Sequence, residues 1–122
     1  MNSRDSIHRD VLIAGSHTIE VMDMTDHLLS RGWNEPVTVK TAKEAIALLE
    51  TRGVPFSLTV VMVPTSDPIA MTLVRICSDE GSPVVIVDGA ASVQQAGQVV
   101  VLARPFIDTD MDQALRSLSL MV

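Results

Sequence analysis

The run Leu58-Thr59-Val60-Val61-Met62-Val63-Pro64 constrains this chain more than any other stretch. It is apolar, rich in β-branched residues and stopped by a proline, and it is too short for a helix. Its apolarity is unbroken rather than alternating, which predicts a strand covered on both faces. Such a strand belongs in the middle of a parallel sheet, and similar runs stand on both sides of it. No acid stands at its C-terminal end, and that absence governs the functional reading.

The remaining runs alternate between strand and helix patterns. Residues 10–14 read as a first strand, ended by Gly15 and Ser16. Ser16 or Thr18 is expected to cap a helix reaching to about Arg31. Its apolar positions Ile19, Met22, Leu28 and Leu29 recur at helical spacing, with Thr25 on the same face. Gly32 is its stop signal, and Trp33 is expected to cover the exit. Residues 36–40 read as a second strand. Thr41 and Glu44 form a capping box, opening a helix that stops at Gly53. After the central strand, Asp67 and Pro68 supply an N-cap and a first helical position, and Gly81 follows that helix. Residues 83–88 and 98–103 read as fourth and fifth strands. The segment 89–97 between them leaves room for barely two helical turns. Thr109 and Asp112 are expected to open a last helix through about Leu118. Five strands alternating with helices define an α/β domain with a parallel sheet and right-handed crossovers.

The length of 122 residues fits one domain. Residues 1–9 read as a disordered tail and 10–122 as the folded unit. A net charge of −6 without a basic stripe argues against nucleic acid as a partner. Trp33, Phe56 and Phe106 are the whole aromatic set, too few for a base-stacking platform. Cys77, the single cysteine, falls in an apolar helical pattern and reads as a buried thiol. No apolar h-region opens the sequence and no run approaches a membrane span, so a soluble cytoplasmic protein is expected.

From position 10 to 120 the chain resembles a response-regulator receiver domain of the chemotaxis-regulator type. The resemblance rests on the strand–helix order, on Pro64 after the third strand, and on Arg104-Pro105-Phe106 after the fifth. It implies a flavodoxin-like, doubly wound five-stranded sheet of order 2-1-3-4-5, here with a shortened fourth helix. It also implies aspartyl phosphorylation assisted by magnesium. That chemistry uses an acidic pair after the first strand, a phosphoacceptor Asp after the third, a Ser or Thr after the fourth and a Lys after the fifth. These positions fall on Gly15 and Ser16, on Val60, on Asp88 and on Arg104. The aromatic switch position of the fifth strand falls on Val101. The resemblance further implies a cis Arg104–Pro105 bond. If the implied strand order holds, Asp88 and Arg104 face each other across neighbouring strand ends and are expected to pair.

Hard divalent cations need several carboxylate oxygens. Gly15, Ser16 and Val60 supply none, so no metal, no cofactor and no catalytic residue is expected, and the protein does not read as an enzyme. Ser16 and His17 are neighbours without an orienting acid. His8 lies in the tail, and His27 is read on the polar side of the first helix without a metal-ligand companion. Two readings follow. In the first, the chain is a degenerate, phosphorylation-independent receiver, a protein-interaction module of bacterial signal transduction. Its partner is a histidine kinase, a regulator or another domain of the same pathway, with homodimerisation open. Its binding face is expected away from residues 89–97, for example on the first helix with Met22, Met24 and His27. In the second, it is a pseudo-receiver holding a small ligand, such as a nucleotide second messenger, in the vacated crevice near Ser16, Asp88 and Arg104.

Overall fold

Nine elements follow one another in the computed structural model, which describes residues 9–64, 66–88, 98–103 and 108–118. They are β1 (Val11–Ala14), α1 (Thr18–Ser30), β2 (Val37–Val39), α2 (Ala42–Arg52), β3 (Leu58–Val61), α3 (Pro68–Asp79), β4 (Val84–Asp88), β5 (Val99–Ala103) and α4 (Asp108–Ser117). The strands form one sheet of order β2-β1-β3-β4-β5, every pair parallel. This is the flavodoxin-like order. The segment 89–97, expected to hold a short fourth helix, lies outside the described residues, as do the terminal tail through position 8 and Arg104-Pro105-Phe106.

All four residues of β1 and all four of β3 are buried, as unbroken apolar runs require of strands covered twice. Alternate side chains feed two cores. Val11, Ile13, Leu58, Val60, Met62, Val85 and Val87 pack with Met24 and Leu28 of α1 and with Met111 and Leu115 of α4. Leu12, Ala14, Val61, Val84 and Ile86 pack on the other face with Ala45 and Leu49 of α2 and with Leu73, Val74 and Cys77 of α3. Cys77 is buried there, its Sγ 3.7 Å from Thr59 Oγ1, and burial pushes its thiol pKa up.

Local signals set most helix boundaries. Thr41 Oγ1 accepts from the Glu44 amide at 3.1 Å. The Glu44 carboxylate reaches back one residue further than the usual box, accepting from the Lys40 amide at 2.9 Å. Asp67 Oδ1 accepts from the Ile69 amide at 2.9 Å, with Pro68 at the first helical position. Gly53 ends α2 in the left-handed conformation, at φ 78°. The start of α1 differs from expectation: its N-cap is His17, with no side-chain bond from it to the helix, rather than Ser16 or Thr18.

The orientation of α1 also differs. Its buried residues are Met24, His27 and Leu28, whereas Ile19, Met22 and Leu29 are exposed. The helix carries two apolar stripes at the same spacing, and the one containing Ile19 and Met22 faces outward. Met22, Met24 and His27 therefore share no face, and His27 is not on the polar side. Trp33 does more than cover the exit of α1: it is buried in the core, with the Arg9 guanidinium 5.7 Å from its ring centroid.

Replacing Thr41 by Ala removes the side-chain acceptor at the start of α2. The expected loss is about 0.5–2 kcal/mol of stability, read as a lower urea midpoint with an unchanged slope.

Candidate functional site

Parallel strands bring their C-terminal ends to one edge of the sheet, so positions far apart in sequence converge there. Ala14 ends β1, followed by buried Gly15 and exposed Ser16. Val60 lies within β3, beside Ile13, and its side chain is fully buried in the core. Asp88 is the last residue of β4 and pairs in register with Ala103, the last residue of β5. Val101 lies mid-strand beside Ile86, half-buried and packed against the α2/α3 face of the core. The structure thus brings Gly15, Ser16 and Asp88 to the ends of β1 and β4, whereas Val60 lies inside β3 rather than after it, and Met62, just beyond the end of β3, stands beside Gly15. Arg104, its expected pairing with Asp88, and the Arg104–Pro105 bond lie outside the described residues.

The space at the head of β1 is occupied. Met62 continues the ladder beyond β3, its amide donating to the Ala14 carbonyl at 2.7 Å. It is buried, 2% exposed. A Cβ placed on Gly15 would lie 3.0 Å from Met62 Cβ and 3.0 Å from Val21 Cγ2. Close packing rather than backbone conformation therefore favours glycine at position 15: any side chain there pushes Met62 or Val21 aside by a few tenths of an ångström. The residues at the head of β1 do not fit a magnesium ion: Gly15, Ser16 and Val60 offer no carboxylate, and Met62 with Val21 fills the place where one would project. Among the described residues, no group of three or more His, Cys, Asp or Glu side chains could hold a metal ion.

Beside this edge a groove of about 570 Å³ runs between α1 and β2, from Gly15 and Ser16 past Met22 and Leu29 to Pro36 and Thr38. It joins the end of the strands to the outward apolar stripe of α1, where Ile19 is 76% and Met22 58% exposed.

A polar cluster that sequence spacing did not reveal ties α1 to α4. His27 Nε2 lies 2.9 Å from Asp112 Oδ1, and His27 Nδ1 lies 3.3 Å from Asp108 Oδ1. Arg31 donates through Nε to Asp112 Oδ1 at 2.9 Å and through Nη2 to Asp112 Oδ2 at 2.8 Å. This two-pronged arrangement suits a planar guanidinium. Those donors from Arg31, with a smaller pull from His27, hold the Asp112 carboxyl down at about 2 against the opposing effect of burial. Asp112 is therefore not the capping partner of Thr109; it is the anchor of the α1–α4 contact. The partners stand 81 and 85 positions apart, so no local pattern could have found them.

A second such cluster lies just before β1 and β3, at the N-terminal edge of the sheet. Asp10 accepts from the Ser57 amide at 3.0 Å and from the Ser57 hydroxyl at 2.7 Å, and it pairs with Arg52. Burial pushes the Asp10 carboxyl up, but the bonds from Ser57 and Arg52 together leave it below the usual value. The Arg52 guanidinium lies over the Phe56 ring, 3.8 Å from its centroid.

The fold is that of receiver domains. The chain is similar to a response regulator receiver domain (CheY-like) from Methylobacillus flagellatus, with 17% identity and a TM-score of 0.70 over 90% of this chain and 98% of that one. It is similar to a response regulator receiver protein from Sinorhizobium medicae, with 20% identity and a TM-score of 0.70 over 89% of this chain and 92% of the other. It also matches the response regulator PhyR from Brucella abortus at 21% identity and a TM-score of 0.69, covering 97% of this chain but 51% of PhyR. No family model and no curated relative matches the chain. At these identities the likeness establishes the receiver fold, a fold found in signalling proteins. Among the described residues, no helix is long and apolar enough to cross a membrane.

Two outcomes are expected. Gly15→Asp places a carboxylate against Met62 and Val21 and lowers stability by about 1–3 kcal/mol, measured by urea unfolding at neutral pH. Asp112 has a folded-state pKa of about 2, below the unfolded value of about 3.9. Its contribution is therefore complete above about pH 5 and is lost as pH falls through 4 towards 2. Asp112→Asn should cost on the order of 1–2 kcal/mol at pH 7, and the difference from the unaltered protein should shrink over that acid window.

Proposed function

We propose that this domain is a degenerate receiver: a protein-interaction module of bacterial signal transduction that works without phosphorylation. The observation that carries this reading is the packing at Gly15. An acid missing from an open crevice could be replaced by a neighbour; here Met62 and Val21 take up the space itself. Val60, on which the resemblance puts the phosphoacceptor, is a fully buried core side chain inside β3. The switch position holds Val101, half-buried and too short to alternate between two states in the way a long aromatic side chain does.

A module of this kind binds through a surface that is permanently on display. The outward stripe of α1 supports that role, because Ile19, Met22 and Leu29 are exposed apolar residues on one side of one helix. It replaces the Met22, Met24 and His27 set, of which Met24 and His27 are buried. The partner is a signalling protein of the same pathway, taken up in one fixed conformation. A small ligand at Ser16, Asp88 and Arg104 is the competing reading, and nothing in the packing at Gly15 favours it.

Incubation with a small phosphodonor and magnesium, followed by intact-mass analysis, is expected to show no labile phosphate adduct. Capture of the native partner from cell extract should be equal with and without phosphodonor. It should be weakened by Met22→Glu and unchanged by Met71→Glu on α3. An adduct, or a partner retained only after phosphodonor treatment, would overturn the reading. A rise in melting temperature with added nucleotides would favour the ligand alternative.

A further inference from the structure

We propose that the free edge of β2 is a self-association site, pairing antiparallel with β2 of a second copy of this chain about a two-fold axis through Thr38. The proposal is independent of what the α1 stripe binds.

β2 is an outer strand, hydrogen-bonded on one side to β1. The bond from the Gly15 amide to the Val39 carbonyl, 2.9 Å, fixes the phase: residues 37 and 39 direct their backbone groups inward to β1. Backbone groups alternate along a strand, so the N–H and C=O of Thr38 point outward, and Thr38 is exposed. On either side of it the edge is closed to general pairing. Pro36 has no N–H to offer, and the Lys40 amide is taken by the Glu44 carboxylate. Along residues 36–40 Thr38 is therefore the residue that offers both an outward donor and an outward acceptor, Pro36 and Lys40 offering carbonyls alone. That is the pattern of a hydrogen-bonded antiparallel pair, in which two facing residues exchange both bonds. Thr38 facing Thr38 of a second copy satisfies it with no other sequence involved.

The side chains agree with this register. Val37, 43% exposed, falls opposite Val39 of the second copy, and the reverse pair forms by symmetry. These are β-branched cross-strand pairs of the favourable kind. Glu35 and Lys40 line the groove on the α1 side at opposite ends of β2, and both are exposed. Antiparallel pairing brings Lys40 of each copy beside Glu35 of the other, giving one opposite-charge contact at each end of the seam. A parallel arrangement would set like charges together. The occupant is thus specified by charge complementarity, by backbone phase and by the two-fold axis that a self-complementary patch requires.

Analytical ultracentrifugation across a concentration series reaching on the order of 1 mM tests the site. A concentration-dependent dimer is expected. Thr38→Pro deletes the outward amide without touching the β1 ladder, and it should weaken self-association by roughly tenfold or more. Lys40→Glu should weaken it too, and so should Glu35→Lys. The combination Glu35→Lys with Lys40→Glu should restore it, a result that a merely disturbed fold would not give. Melting curves confirm that each variant is folded. A protein monomeric across the whole series overturns the proposal, as does a dimer indifferent to Thr38→Pro and to both charge reversals.

Discussion

The requirement that β1 and β3 be dry on both faces governs the rest of this structure. Their eight residues are all buried, so each face must be covered by a helical layer, and parallel connections supply helices on both sides. Burial of this kind stops at the strand ends, which is where open α/β sheets carry their chemistry. Any polar group placed there must be paired or solvated. In this chain the positions next to β1 and β3 are given to packing: Met62 and Val21 close over Gly15. The absence of carboxylates at Gly15, Ser16 and Val60 and the tightness of the edge are two views of one arrangement, in which the energy available at the strand ends goes into apolar contact.

The fold was readable in advance because its signals are local. Unbroken β-branched runs marked the strands. Thr41 with Glu44, Asp67 with Pro68, and Gly53 each carry a boundary in their own chemistry, and each acts at the place it indicates. The rotation of α1 was not readable. Ile19, Met22 and Leu29 repeat at the same period as Met24 and Leu28, and a period does not specify a phase. What sets the phase is a partner distant in sequence: His27 and Arg31 must turn towards Asp112. The same reason explains the misreading of Asp112 as a capping residue and of His27 as a surface histidine.

The site was legible as a set of absences. The resemblance put Gly15, Ser16 and Val60 where acids are expected, and none of the three is an acid. It could not show that Met62 fills the space, because a methionine one residue beyond a strand has no sequence signature of its own. Nor could it single out Thr38, whose outward amide follows from strand order and bonding phase.

The contact between α1 and α4 also bears on how the chain reaches this state. Arg31 and His27 meet Asp112 across 81 and 85 positions of chain, whereas β1, β3 and β4 form their ladders across shorter separations. Contacts that close long loops carry the larger entropic cost and form when the intervening structure already holds their ends near. The α1–α4 bridge therefore belongs to the last stage of assembly. Weakening it should speed unfolding far more than it slows folding, so that Arg31, His27 and Asp112 govern the lifetime of the native state rather than the rate at which it is made.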